Sequence, residues 1–162
     1  MHADDPIPDN PPPGFERHYR RSGLTDPWEP LYSRKLPDAV YIGLRAGPAH
    51  ANSRGLVHGG LISALVDNAM GLSCGIVRGS SEGSLVTVNL SVDFVSIARQ
   101  GQWVEVRPSV VKIGGSMGFA SALVYADNAV CARANATFRV IGAATPPTTP
   151  ETAPPATSPA PH

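Results

Sequence analysis

Cysteine, excess charge, clustered histidine and long apolar runs are scarce or missing in this chain of 162 residues, and each shortage closes off a class of function. Only two cysteines occur, Cys74 and Cys131, both inside apolar runs. Neither forms a CxxC pair or has a Cys/His neighbour at zinc spacing, so both read as core thiols of a reducing compartment. The formal net charge is zero, and the cations, 11 Arg and 2 Lys, are spread along the chain. Without a basic excess, nucleic acid is not an expected partner. The five histidines, at positions 2, 18, 50, 58 and 162, are scattered. They build no metal cluster, and neither a metal nor a redox cofactor is expected. No stretch approaches the roughly 18 consecutive apolar residues of a membrane span, so no membrane partner is expected either. The opening MHADDPIPDNPPPGF lacks the apolar centre of a signal peptide. These absences together predict a soluble, cytoplasmic protein.

Proline and glycine are what the chain has in quantity. Five of the 17 prolines lie in residues 1–13 and seven in 146–161. Such segments cannot bury enough apolar surface to offset chain entropy, which predicts disordered tails over 1–13 and 143–162. Between them, 14–38 reads as a polar lead-in, and the aromatic pair of DPWEPLY (26–32) suits packing over a domain edge. The folded domain is predicted over 39–142. Residues 39–45 have strand character, 46–57 form a loop, and Gly59 to about Val77 has helical apolar spacing. From residue 85 the period switches to two, with Val86, Val88, Leu90, Val92 and Phe94 on one face and Thr87, Asn89, Ser91 and Asp93 on the other. Further strands are predicted over 102–113, 116–126 and 129–141, joined by turns at Gly114-Gly115 and Asp127-Asn128. Short turns imply antiparallel neighbours, so the fold class is α+β, with a sheet covering one long helix.

At 100° per residue, Ile62, Leu65, Ala69, Leu72 and Ile76 cluster on the face expected to meet the sheet. The opposite stripe is Gly60, Ser63, Ala64, Asp67, Gly71, Cys74 and Gly75, in which every member but Asp67 is small. Glycines within a helix cost about 1 kcal/mol each relative to alanine, so this row suggests close approach by a backbone or a ligand. Asp67 then reads as a site carboxylate, a structural carboxylate capping a loop, or a surface charge. At the helix start, Gly59 and Gly60 leave amide N–H donors open to a ligand oxygen at the positive end of the dipole. The same pair also suits a tight loop-to-helix turn, and His58 suits a cap. Gly59 and Asp67 are eight residues apart, or about 12 Å along the axis. A base and its water need contact of about 3 Å. If both residues serve one substrate, Asp67 must come from a second subunit, in a composite site at a two-fold interface.

The run Asn52-Ser53-Arg54-Gly55-Leu56-Val57-His58-Gly59-Gly60, followed by Asp67-Asn68 in a long helix, resembles the hotdog-fold acyl-CoA thioesterases. The resemblance is to the PaaI-like branch, relatives of phenylacetyl-CoA and 4-hydroxybenzoyl-CoA thioesterases. It covers about residues 40–141, including TVNLSVDFVSIARQG (87–101), the GGS turn (114–116) and the A-x-A-x-x-T-F strand (132–138). It implies a central helix wrapped by a largely antiparallel five-stranded sheet, a homodimer with composite sites and a dimer of dimers. It implies that Gly59 N–H, with His58 and Asn52 nearby, polarises the thioester carbonyl. The partner's Asp67 would serve as general base or as nucleophile, with Thr87 orienting water. For CoA it points by position to Gly60, Gly114, Gly115 and Ser116, and to Lys112, Arg139, Arg78, Arg99 and Arg133 as phosphate partners. The implied activity is hydrolysis of an acyl-CoA, aryl or medium to long chain, to free acid and CoA. Two alternatives share the fold: a hydratase or dehydratase, disfavoured because 46–57 holds no Asp or Glu, and an acyl-CoA-binding module without turnover. Met70, Phe94, Met117 and Phe119 read as core residues, with a place in the pocket as the alternative.

Overall fold

Period-two patterning from residue 84 onward produces four long strands, and they wrap the single long helix that precedes them. The computed structural model describes residues 10–79 and 83–142. The tail expected over 143–162, and most of that over 1–13, lies outside the described residues. In chain order the elements are β1 (Glu16–Arg17), β2 (Tyr32–Lys35), β3 (Val40–Arg45), α1 (Gly59–Arg78), β4 (Ser84–Phe94), β5 (Trp103–Ile113), β6 (Met117–Ala126) and β7 (Ala129–Ile141). Short 3-10 turns occupy Asp26–Trp28 and Pro48–His50. Every neighbouring pair is antiparallel, in the order β1-β2-β3-β5-β6-β7-β4.

The sheet has seven strands rather than the five expected. The two additional strands come from before residue 39. Tyr32–Lys35 carries no apolar alternation, so pattern alone reads it as polar chain. Its pairing with β3 sets Tyr32 opposite Gly43, and β1 adds beside it. Phe15, Tyr32 and Trp103 then form a second apolar cluster away from the helix. Gly43 makes this possible, because a Cβ there would lie 2.5 Å from the Trp103 ring.

The helix fits its predicted span and ends at Gly79, whose φ of 65° and N–H bonds to the Gly75 and Ile76 carbonyls form a left-handed C-terminal cap. Its twenty residues are long and apolar enough to cross a bilayer by length and composition, yet they are bedded on the sheet. The buried arc is wider than expected and is turned toward Val66, Met70 and Cys74. Ile62, Leu65 and Ala69 are core as predicted, Leu72 and Ile76 are only half-buried, and Cys74 leaves the small-residue stripe for the core. The cause is the curl of the sheet, which brings β6 against the helix at Gly118 beside Cys74. Ser73 ties α1 to β3, accepting from Val40 N–H at 2.9 Å and donating to the Ala69 carbonyl at 2.6 Å.

In β4 the alternation breaks. Thr87 opposes Phe138 and Asn89 opposes Thr137, so Val88 is a bulge without a partner on β7. The faces exchange at that point. Leu85 before the bulge and Leu90 and Val92 after it pack on the core, whereas Val86 and Val88 stand 47 and 59 % exposed. The single apolar face expected over 86–94 is therefore corrected, and Thr87 lies on the helix side of the strand.

The loop before α1 is held by a buried histidine. His50 Nδ1 accepts from Gly47 N–H at 2.8 Å, and its Nε2, 3.0 Å from the Trp28 carbonyl, is then the donor. Burial holds this imidazole below its usual pKa, against the opposing pull of the Trp28 carbonyl. His18 is held low chiefly by burial too, with Glu29 opposing and Arg20 and Lys35 adding to the effect. The unfolded chain therefore takes up these protons first, so their contribution is complete above the unfolded value of about 6.5 and falls as pH drops below it. Thermal melts from about pH 7.5 to 5.5 should show stability falling with acid, less steeply in His50→Gln. His50→Ala should cost on the order of 2 kcal/mol through the two orphaned backbone groups.

Candidate active site

The loop entering α1 is organised by Asn52. Its side-chain oxygen accepts from the N–H groups of Arg54 (2.9 Å) and Leu56 (3.2 Å), while backbone bonds close the turn at Gly55 and Leu56. This leaves the carboxamide nitrogen as the group of Asn52 available to a ligand. His58 is the helix N-cap: its Nδ1 accepts from Gly60 N–H at 2.8 Å. That bond occupies the Gly60 donor and leaves the proton of the neutral ring on Nε2, at the surface. Gly59 N–H, at the first helical position, has no acceptor among the described residues. The Phe94 ring lies beside this residue, its edge 3.0 Å from where a Cβ at residue 59 would be. Phe94 is 53 % exposed, so it belongs to this surface and not to the core, and of its two sequence readings the core one is corrected. Alternation puts it on the helix side with Leu90 and Val92, but it cannot show that β4 reaches the helix tip there, where the core has ended.

Two turns along, Asp67 is half-buried, and its Oδ1 accepts from the Thr87 hydroxyl at 2.8 Å. This bond orients the carboxylate and leaves Oδ2 for other chemistry. Both residues come from one chain, so the structure unites Asp67 with Thr87 and His58 with Gly59 and Gly60. The two groups stay about 12 Å apart on the helix. The close approaches to the glycine stripe are also explained. Gly60 meets the His58 ring and Gly71 meets Phe138, while a Cβ at Gly75 would meet open space.

Asp67 and Thr87 lie in a cleft of about 660 Å³ that runs along the open side of the helix. Leu72, Ile76, Leu85 and Phe138 give it apolar walls, Gly71 and Gly75 its floor, and Arg78 and Gly83 lie toward its far end. Tyr19 and Arg20 also line it, and no sequence signal marked either, because they belong to a segment without periodicity. The other CoA candidates are dispersed. Lys112 and Arg139 are exposed on the sheet face away from the helix, at register positions opposite Phe119 and Met117. Phe119 shares that outer face, half exposed, in place of the core position expected, whereas Met70 is fully buried as expected. Arg133 is paired with Asp93 at 2.8 Å, and Arg99 lies in the loop bridged to Leu56. Gly114, Gly115 and Ser116 form the β5–β6 turn; the Ser116 carbonyl accepts from Val140 N–H, and Val140 opposes Leu85 of the cleft.

The family model described as Thioesterase superfamily matches residues 54–132 of this chain. A Pseudomonas aeruginosa protein named as an esterase is 37 % identical over 132 residues, covering 81 % of this chain and 98 % of that one. Mouse acyl-coenzyme A thioesterase 13 is 25 % identical over 109 residues, 67 % of this chain and 71 % of that one. Two solved structures share the fold. One is a thioesterase protein of Streptococcus pneumoniae with coenzyme A, with a TM-score of 0.64, 19 % identity and coverage of 71 and 91 % of the two chains. The other is a mutant of the phenylacetic acid degradation protein PaaI of Thermus thermophilus, with a TM-score of 0.62, 22 % identity and coverage of 68 and 93 %. With its long helix on a curled antiparallel sheet, the chain has the hotdog fold and belongs to the thioesterase superfamily.

Proposed function

We propose that this chain hydrolyses an acyl-CoA thioester to the free acid and CoA, at a composite site shared by two protomers. The observation that carries this reading is the Thr87–Asp67 hydrogen bond in an open cleft, on the same helix as an unengaged N–H at Gly59. Support for the substrate comes from relatives and fold neighbours named for acyl-coenzyme A or solved with coenzyme A. In this reading the thioester oxygen accepts from the Gly59 N–H, and Asp67 takes a proton from water as the water oxygen bonds to the acyl carbon. Negative charge moves to the carbonyl oxygen, where the helix dipole and the amide stabilise it. Collapse breaks the carbon–sulfur bond, and the CoA thiolate leaves and is protonated. The alternative route has Asp67 attack the carbon itself, forming a mixed anhydride that water then opens. The first route needs the carboxylate at the attacking water and the second at the acyl carbon itself; the axial separation of about 12 Å from Gly59 supports taking it from the opposite protomer.

The free edge of β4 supports this pairing. β4 ends the sheet, is eleven residues long, and carries exposed Val86 and Val88. Such an edge is a template for another strand. Let two β4 edges pair antiparallel about a two-fold axis at Ser91. Leu90 then opposes the partner's Val92, and Asn89 opposes the partner's Asp93. With Val88 bulged out, Thr87 opposes the partner's Phe94, the residue that lies beside Gly59. All these pairs share a face, as opposing residues must. Thr87 and Asp67 are thus delivered to the other protomer's helix tip. Two such dimers associating through other surfaces would give the dimer of dimers.

Asp67→Asn should lower kcat by about 10²–10⁴-fold without unfolding the protein, read as thiol release over an acyl-CoA and aryl-CoA panel. Thr87→Val should cost about tenfold. CoA thioester binding without release in the wild type would instead make the chain a binding module. Mixing Asp67→Asn with Gly59→Pro, which lacks the amide proton, should restore part of the activity as hybrid dimers form. Ser91→Cys should form a disulfide-linked dimer on mild oxidation, because a residue on the axis meets its own copy at about 4.5–5.5 Å between Cα atoms. Cys74 and Cys131 are buried and should not contribute to that product. A monomer under these conditions removes the proposed register.

A further inference from the structure

The loop that presents the helix tip is a narrow hairpin with two legs. His58 N–H donates to the His50 carbonyl at 2.9 Å, Ala51 bridges Val57, and Asn52 N–H donates to the Leu56 carbonyl at 2.7 Å. These links fix Asn52 and His58 relative to one another. They do not fix where the hairpin stands on the domain, and each leg has its own tether. Val57 N–H holds the outgoing leg to the Ala98 carbonyl at 2.9 Å, and Leu56 bridges Arg99. The incoming leg is held by the His50 side chain.

That side chain is 2 % exposed and joins two segments. Nδ1 accepts from Gly47 N–H at 2.8 Å, and Nε2 donates to the Trp28 carbonyl at 3.0 Å. Trp28 ends a 3-10 turn and packs against the main core, so its carbonyl is a fixed point. The ring is clamped at both nitrogens, and the clamp places the carbonyl of the same residue. The group bound to that carbonyl is His58 N–H, and the next amide along the chain is Gly59 N–H, the donor assigned to the thioester oxygen. His58 Nδ1, which accepts from Gly60 N–H at 2.8 Å, belongs to the same residue. One hydrogen bond thus separates the clamp from the polar groups of the tip. A misplacement of about 1 Å at a reacting group can cost on the order of 10²-fold in rate.

We propose that His50 is a positioning residue of the reaction. Its ring, held between Gly47 and the Trp28 carbonyl, aims the Gly59 N–H and the His58 ring, and the lead-in segment becomes a working part of the site. The inference rests on the thioesterase reading and adds to it a residue that touches neither substrate nor water.

Three substitutions separate the two contacts of the ring. In His50→Asn the side-chain oxygen stands in for Nδ1 and keeps the Gly47 bond. In His50→Gln the longer amide reaches the Trp28 carbonyl and gives up Gly47, and His50→Ala keeps neither. Ser73→Ala is the control, because it removes buried bonds of α1 away from the tip. Thiol release is measured well below the melting temperature of each variant. His50→Ala should lower kcat about tenfold or more with KM within about twofold, since the lost alignment acts on the transition state. His50→Asn and His50→Gln should each regain part of the loss, and they carry the test if the alanine variant does not fold. Ser73→Ala should keep kcat within about twofold of the wild type.

A second readout needs no substrate. Nitrogen NMR of isotope-labelled histidine is recorded at about pH 8, above the ordinary imidazole range. The His58 ring, identified by its loss in His58→Gln, should show one fixed tautomer, with Nδ1 accepting and the proton on Nε2. Averaged tautomers should replace it in the His50 variants, while Ser73→Ala retains it. A wild type without thiol release would defeat the hydrolysis reading, and the His58 signature then decides the positioning by itself. A fixed His58 tautomer in every His50 variant, or its loss with kcat at the wild-type level, overturns the proposal.

Discussion

One extra residue in a strand determines which side chains of β4 face the helix. Without the bulge at Val88, strict alternation would place Thr87 on the face opposite Leu90 and Val92. With it, Thr87 shares the helix side with them and its hydroxyl reaches Asp67 at 2.8 Å. Phe94, farther along that same side, lies beside the helix tip at Gly59. Bulges re-aim side chains at the cost of one ladder bond, and here a single one puts Thr87 and Phe94 on one face of the strand.

The helix tip shows how local requirements leave one group free. An N-cap needs an acceptor for an early N–H, and the His58 ring supplies it to Gly60. The loop before it needs an acceptor inside its turn, and the Asn52 oxygen supplies that. What remains without an acceptor among the described residues is a short set of donors: Gly59 N–H, the Asn52 amide and His58 Nε2. The residues that build the turn thus also define the polarity offered to a ligand. The cap uses Nδ1 of His58, so the proposed site role, which competes with it in the sequence, would use the other nitrogen of the ring.

Much of this is legible in the sequence alone. The helix, the four strands after it and both turns follow from periods of 3.6 and two, and those patterns are long enough to be unambiguous. Asp67 stood out because it is the one charge in a stripe of small residues. What patterning could not reach falls into three kinds. Tyr32–Lys35 is a strand because β3 has a free edge beside it, a tertiary cause absent from its four residues. The bulge at Val88 has no sequence mark, so a parity counted straight through it assigns one half of β4 to the wrong face. The wide burial of α1, including Cys74, depends on how far the sheet curls, which no helical wheel contains. Tyr19 and Arg20 combine the first and last causes, since they become cleft residues only after β1 has docked.

The two margins of the sheet are unequal. At one, β1 offers two residues, Glu16 and Arg17, both exposed and charged in type; at the other, β4 offers eleven. A sheet with adhesive margins on both sides can add copies without limit and grow into a filament. A sheet with a single adhesive margin saturates after one addition, because the joined pair presents only its two short, charged ends. Pairing through β4 as proposed would therefore stop at the joined pair, with the short β1 strand as the terminator at each margin.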